Sequence, residues 1–199
     1  MFLSYLAYAG VLGTLLSPSP AVPQALSYDV VVHNRAIGQL SVRKAPTAAG
    51  VQYHVEADVD IQFFGAKRMV THFTSTYCGN VLTESSFHDQ LNGRTKHQAQ
   101  VRWDGRHYQV RVNGMASTVA ERPATYSSAS LYDREPEGIG QLFSERHGRF
   151  CRLKPVAAHT YELTLPDGKK NYYRYLNGRC QEVEVQHPLF TIFFRLRHD

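Results

Sequence analysis

From Val51 onward apolar and polar side chains alternate strictly. Val51, Tyr53, Val55, Ala57, Val59 and Ile61 fall on one parity, and Gln52, His54, Glu56, Asp58, Asp60 and Gln62 on the other. A period of two predicts a strand, here Val51 to Phe64, with one packed face and one wet face. Comparable runs predict an opening hairpin, Ser27 to His33 with Ile37 to Lys44, and then strands over Lys67 to Tyr77, Val81 to Leu91, Arg94 to Trp103, His107 to Val112 and Ala116 to Glu121. Strands resume over Arg149 to Leu153, Thr160 to Leu165, Asn171 to Leu176, Gln181 to Gln186 and Phe190 to Leu196. The last run is apolar on both parities: Phe190, Ile192, Phe194 and Leu196 on one, Leu189, Thr191, Phe193 and Arg195 on the other. Both of its faces are therefore expected to touch apolar material.

Punctuation between these runs is regular. Asn34-Arg35, Gly65-Ala66, Cys78-Gly79-Asn80, Asn92-Gly93, Asp104-Gly105, Asn113-Gly114, Asp167-Gly168, Asn177-Gly178 and the His187-Pro188 break separate neighbouring strands. Asn-Gly and Asp-Gly reach positive φ cheaply, as tight hairpin turns require. Ala45 to Gly50, which contains Pro46, reads as a loop. Short connections between strands rich in Tyr and Phe predict an all-β fold, an antiparallel meander of roughly ten to thirteen strands. A sheet of that size curls, so a barrel or half-barrel follows. The pattern breaks once. Arg122 to Tyr132 has no period of two, and Ser and Thr ahead of Ala129, Leu131 and Tyr132 predict one short helical turn near 126–133. Asp133 to Gly140 follows as an acidic, Gly-containing loop.

The chain has 199 residues, 43% of them hydrophobic, which suits a single core. The first charged side chain is Asp29, and an apolar run from Phe2 to Leu16 precedes Ser17-Pro18-Ser19-Pro20-Ala21. An apolar core of this length ahead of small residues predicts a signal peptide over 1–21 and one β domain over 22–199. The expected location is periplasmic or secreted, with no transmembrane span after cleavage. The segment before the apolar run has no Lys or Arg, so an uncleaved anchor and a cytosolic chain are the alternatives.

The formal charge is +5, spread along the strands without a basic run. This argues against a nucleic-acid arm. The basic-aromatic stretch Lys169 to Tyr175 reads as strand packing rather than a base-stacking surface. Cys78, Cys151 and Cys180 are odd in number and form no C-x-x-C. The ten histidines show no close metal-ligand spacing. There is no G-x-S-x-G and no G-x-G-x-x-G or Walker A run. No catalytic residue, metal ligand or cofactor is assigned.

From Thr125 to Tyr132, through Glu135-Pro136-Glu137-Gly138-Ile139, the chain resembles the DUF6134 family of exported bacterial proteins. Tyr161 to Gly168, Asn171 to Tyr175, Asn177-Gly178 and Val183 to His187 extend the resemblance, as do Tyr28 to Val31 and Ile37-Gly38. The family implies an exported, mostly β protein and no activity. By fold analogy the chain is similar to DUF3108-like and lipoprotein-carrier-like curved sheets.

The irregular Ser127–Gly140 segment is the best pointer to function, because loops on rigid scaffolds carry it most often. Ligand-binding candidates are Tyr126, Ser130, Leu131, Tyr132 and Glu135 in this segment, Tyr173 and Tyr175 on a facing strand, and His187 before Pro188. The leading expectation is a non-enzymatic module holding a hydrophobic small molecule, lipid or envelope component in the concave face of the sheet. The alternatives are a hydrolase-like envelope enzyme using the 127–140 loop with His187, and a structural or assembly role.

Overall fold

The computed structural model describes residues 24–62, 65–119, 122–187 and 189–198. The proposed signal segment, residues 1–21, lies outside them. All strands among the described residues belong to one antiparallel sheet of fourteen. Its first eight strands are β1 (Gln24–Val32), β2 (Arg35–Thr47), β3 (Gly50–Ile61), β4 (Lys67–Cys78), β5 (Val81–Leu91), β6 (Arg94–Trp103), β7 (Tyr108–Val112) and β8 (Met115–Val119). After a 3-10 turn at Ala129–Tyr132 come β9 (Gln141–Ser144), β10 (Arg149–Ala157), β11 (Thr160–Thr164), β12 (Lys170–Leu176), β13 (Arg179–His187) and β14 (Phe190–Leu196).

The turn chemistry explains the meander. His33 and Asn34, Asn92 and Gly93, Asn113 and Gly114, and Asn177 and Gly178 all have positive φ at consecutive positions, as type I′ hairpins demand. β14 returns to pair with β1, Val30 opposite Phe194. The sheet order therefore runs from β8 through β1 and β14 to β9. Its two edges are consecutive in sequence, and residues 122–140 bridge them. We call this segment the strap. The sheet is curled but not closed by a β8–β9 ladder.

Three expectations are corrected. The described residues form fourteen strands rather than ten to thirteen. β9 was not expected, because Leu142 and Phe143 are both buried and show no alternation. The loop expected over Ala45 to Gly50 is only Ala48-Ala49, since Pro46 stays in β2 opposite Val51.

The core lines the inside of the curl. Tyr28, Tyr77, Tyr108, Phe143, Leu82 and Leu131 are among its largest fully buried side chains. Closure comes from packing. The β9–β10 turn crosses to the far wall, where the Arg146 guanidinium bonds Asp89 at 3.1 Å and His97 bonds the Arg146 carbonyl at 2.7 Å. Tyr108 stacks on Phe143 with centroids 4.7 Å apart. Gly148 sits so close that a Cβ there would lie 2.3 Å from Val110 Cγ1.

Candidate functional site

The strap fills one end of the curl. That end also carries the turns after β2, β4, β6, β10 and β12. A four-residue 3-10 turn cannot satisfy its own buried backbone groups, so other elements must supply partners. Glu145, 1% exposed, accepts the Ser128 and Ala129 N–H groups at 3.0 Å each. It also accepts the Ser75 hydroxyl at 2.6 Å. Tyr175 Oη donates to the Leu131 carbonyl at 2.7 Å. Tyr28 Oη donates to the Cys180 carbonyl at 3.0 Å and lies 3.4 Å from that of Tyr132. Burial raises the pKa of Tyr28 and Tyr175, which holds both hydroxyls protonated as donors. Asp133 accepts Tyr53 Oη at 2.8 Å and Lys44 Nζ at 2.6 Å.

The strap's outer part carries a second cluster. Glu135, its side chain 6% exposed, meets His159 Nδ1 at 3.0 Å and accepts Tyr161 Oη at 2.9 Å. Burial first, and then Glu135, push the Tyr161 phenol up to about 12. Tyr126 Oη donates to the Glu135 carbonyl at 3.2 Å, and the Arg134 guanidinium lies 3.8 Å over the Tyr126 ring.

The structure thus brings Tyr126, Ser130, Leu131, Tyr132, Glu135, Tyr173 and Tyr175 into one region, but mostly as packing and backbone partners. Ser130 and Leu131 are fully buried. The Ser130 hydroxyl donates to the Ser127 carbonyl at 2.8 Å, and Tyr132 packs edge-on to Tyr173. His187 is not with them. Glu135 bonds the Gly178 carbonyl beside the start of β13, whereas His187 ends that strand opposite Phe190. Eight residues at about 3.3 Å each put the two ends of β13 ~26 Å apart. The hydrolase-like arrangement of Glu135 with His187 therefore does not assemble.

A Tyr-anchored strap thus spans the gap of a curled fourteen-strand sheet. The domain of unknown function DUF6134 matches residues 28–197. The chain belongs to the DUF6134 family. A solved β-barrel-like protein of another domain of unknown function, DUF1849, from Brucella abortus is similar to this DUF6134 chain in fold. Identity is 12% and the TM-score 0.55, over 88% of this chain and 96% of that one. At that identity the likeness concerns fold alone. No curated protein matches the chain.

Other expected chemistry has simple placements in the DUF6134 domain. Cys78 is exposed, Cys151 and Cys180 are buried, and all are free thiols. Among the described residues no cluster of three metal-ligating side chains occurs, and no helix is long and apolar enough to cross a membrane. On β14, Ile192, Phe194 and Leu196 pack on the core, while Phe193 faces the other way under the Arg195 guanidinium. Sequence reasoning missed Glu145 and His159 as partners of the strap, and Asp133 as the strap residue that binds Tyr53 and Lys44. Only Glu145 had a local signal, a Gly-bounded apolar pair followed by a tight turn at Gly148.

Proposed function

We propose that this DUF6134 protein is an exported, non-catalytic binding protein. It holds an apolar ligand, or the apolar part of an envelope component, at the end of the curled sheet opposite the strap. One observation supports the reading: on β4, β12 and β13 the burial of the inward-facing side chains declines away from the strap. On β4, Tyr77 and Ser75 are buried while Phe73, Thr71 and Met69 are only half-buried. On β12, Tyr175 and Tyr173 are buried and Asn171 is not. On β13, Cys180 and Val183 give way to half-buried Val185. Ile192 and Phe194 on β14 are half-buried as well.

Half-buried apolar side chains facing into a curl are the material of a hydrophobic site. Two clefts open at the adjoining rim. One of about 370 Å³ is bounded by Arg35, Ile37, Gly38 and Asp60. The other, about 330 Å³, is bounded by Ile61, Ala66 and Lys67 among others.

The test is native mass spectrometry of the full chain produced with its own N-terminal segment and recovered from the periplasm. It is paired with titration of the neutral fluorescent probe N-phenyl-1-naphthylamine. Removal of the N-terminal segment and a lipid-sized adduct are expected. Met69→Glu should weaken probe binding about tenfold by placing a charge on the apolar wall. Wild-type protein that carries no adduct and binds no probe would remove the reading.

A further inference from the structure

The outward face of the sheet carries a site of different chemistry. A cleft of about 480 Å³ lies over β3 to β8, on the face turned away from the core. Two cross-strand rows form its floor. One runs Gln52, Thr76, Glu84, Arg102, Gln109 in ladder register. The next runs Thr74, Ser86, Gln100, Arg111. The rows contain amides, hydroxyls, two guanidiniums and one carboxylate, and no aromatic or large aliphatic side chain.

Part of this surface is held in place. Gln52 Nε2 donates to Thr76 Oγ1 at 2.9 Å, His54 bonds Gln52 Oε1 at 2.8 Å, and Thr74 and Ser86 hydroxyls share a bond at 2.8 Å. The guanidiniums are different. Some cations on the sheet are taken up by carboxylates, as where Arg174 bonds Glu182 and Glu184 and Arg43 meets Glu56. Arg102 and Arg111 line the cleft without an ion pair or side-chain hydrogen bond among the described residues, although Glu84 stands opposite Arg102 in register. Arg102 and Arg111 are diagonal neighbours on β6 and β7, roughly 7–8 Å apart at the backbone.

We propose that this cleft binds an anionic saccharide, a sugar carrying a carboxylate or phosphate. A guanidinium pairs with either group in a two-bond fork. Gln, Ser and Thr each donate and accept, which suits sugar hydroxyls, and the Glu84 carboxylate accepts from two of them. A nucleic-acid strand is disfavoured because the floor offers no aromatic ring for base stacking. The site lies on the opposite face from the apolar mouth and stands independently of it.

The test is isothermal titration of the purified protein with glucose 1-phosphate and with trigalacturonate. Maltotriose and inorganic phosphate serve as the neutral-sugar and free-anion comparisons. At least one anionic sugar is expected to bind with salt-sensitive affinity, about tenfold or more tighter than both comparisons. Which one binds identifies the anionic group. The double variant Arg102→Gln, Arg111→Gln should lose about tenfold or more in affinity at unchanged melting temperature, because both side chains are exposed. The proposal is overturned by no heat at millimolar sugar, by inorganic phosphate binding as tightly as the sugars, or by undiminished binding in the double variant.

Discussion

Replacing Glu145 by Ala should unfasten the strap. The carboxylate accepts three hydrogen bonds, from Ser75 Oγ, Ser128 N and Ala129 N. An unsatisfied buried donor costs about 1–3 kcal/mol. Ser75 has a nearby alternative, since Ser127 Oγ is 3.5 Å away, and Ser128 is only partly buried. Loss of the buried charge also removes its desolvation cost, which offsets part of the damage. A net destabilisation of about 3–4 kcal/mol results, or roughly 6–16 °C in melting temperature for a domain of this size. Glu145→Gln keeps one carbonyl acceptor and should cost about half as much. Differential scanning calorimetry gives the shift, and hydrogen exchange locates it. The Ser128 and Ala129 amides should lose protection before those of β3 and β4. An alanine variant melting within about 2 °C of wild type would refute the argument, because a buried carboxylate with three donors cannot be that dispensable.

Three further outcomes are expected. Gly38→Ala should cost about 3 kcal/mol or more, since a Cβ there would lie 2.1 Å from the Asp58 carbonyl oxygen on β3 and would force the strands apart; urea unfolding measures it. In native protein a thiol reagent such as dithionitrobenzoate should label Cys78 alone, which is exposed. Burial pushes the Cys151 thiol up to about 11 and that of Cys180 higher still, and thiolates are the reactive form. Burial first, and then Arg146, lower the His147 pKa to about 4. The unfolded chain therefore takes up this proton near pH 6.5 while the fold refuses it. Its contribution is fully present above about pH 6.5 and is lost as pH falls towards 4. The ring is partly exposed, so the loss is about 1–2 kcal/mol. Chemical denaturation of His147→Asn across that range should show a shallower slope than wild type.

What was legible in the sequence follows from which forces act locally. The bounds of β5 and β6, Val81–Leu91 and Arg94–Trp103, are legible in the sequence, because each strand ends at an Asn-Gly or Asp-Gly pair. The extension of β2 through Pro46 was not legible. Proline usually signals a loop, yet here it lacks only its own N–H, and β2 continues to Thr47 opposite Gly50. β9 was hidden for the opposite reason. Its free edge bridges to the strap at Ser127, and Leu142, Phe143 and Ser144 are all buried, so its residues carry no period.

The location of the strap was legible as the one long break in the period of two, at Arg122 to Tyr132, but its role was not. Its partners lie far away in sequence: Tyr28 is 104 residues from Tyr132, Tyr53 is 80 from Asp133, and Tyr175 is 44 from Leu131. Alternation marks these tyrosines as inward-facing rings and says nothing of their hydroxyls. The hydroxyls matter because a short 3-10 turn drawn into a core brings carbonyls that its own backbone cannot satisfy. Tyrosine meets both needs, with a ring for the apolar interior and a protonated oxygen at its tip. A strap bonded in this way completes the core at its end of the curl. The same carbonyls and rings are then committed to the fold. The apolar ligand proposed above would have to use the surface that the strap leaves open, the half-buried wall of Phe73, Met69, Val185 and Ile192.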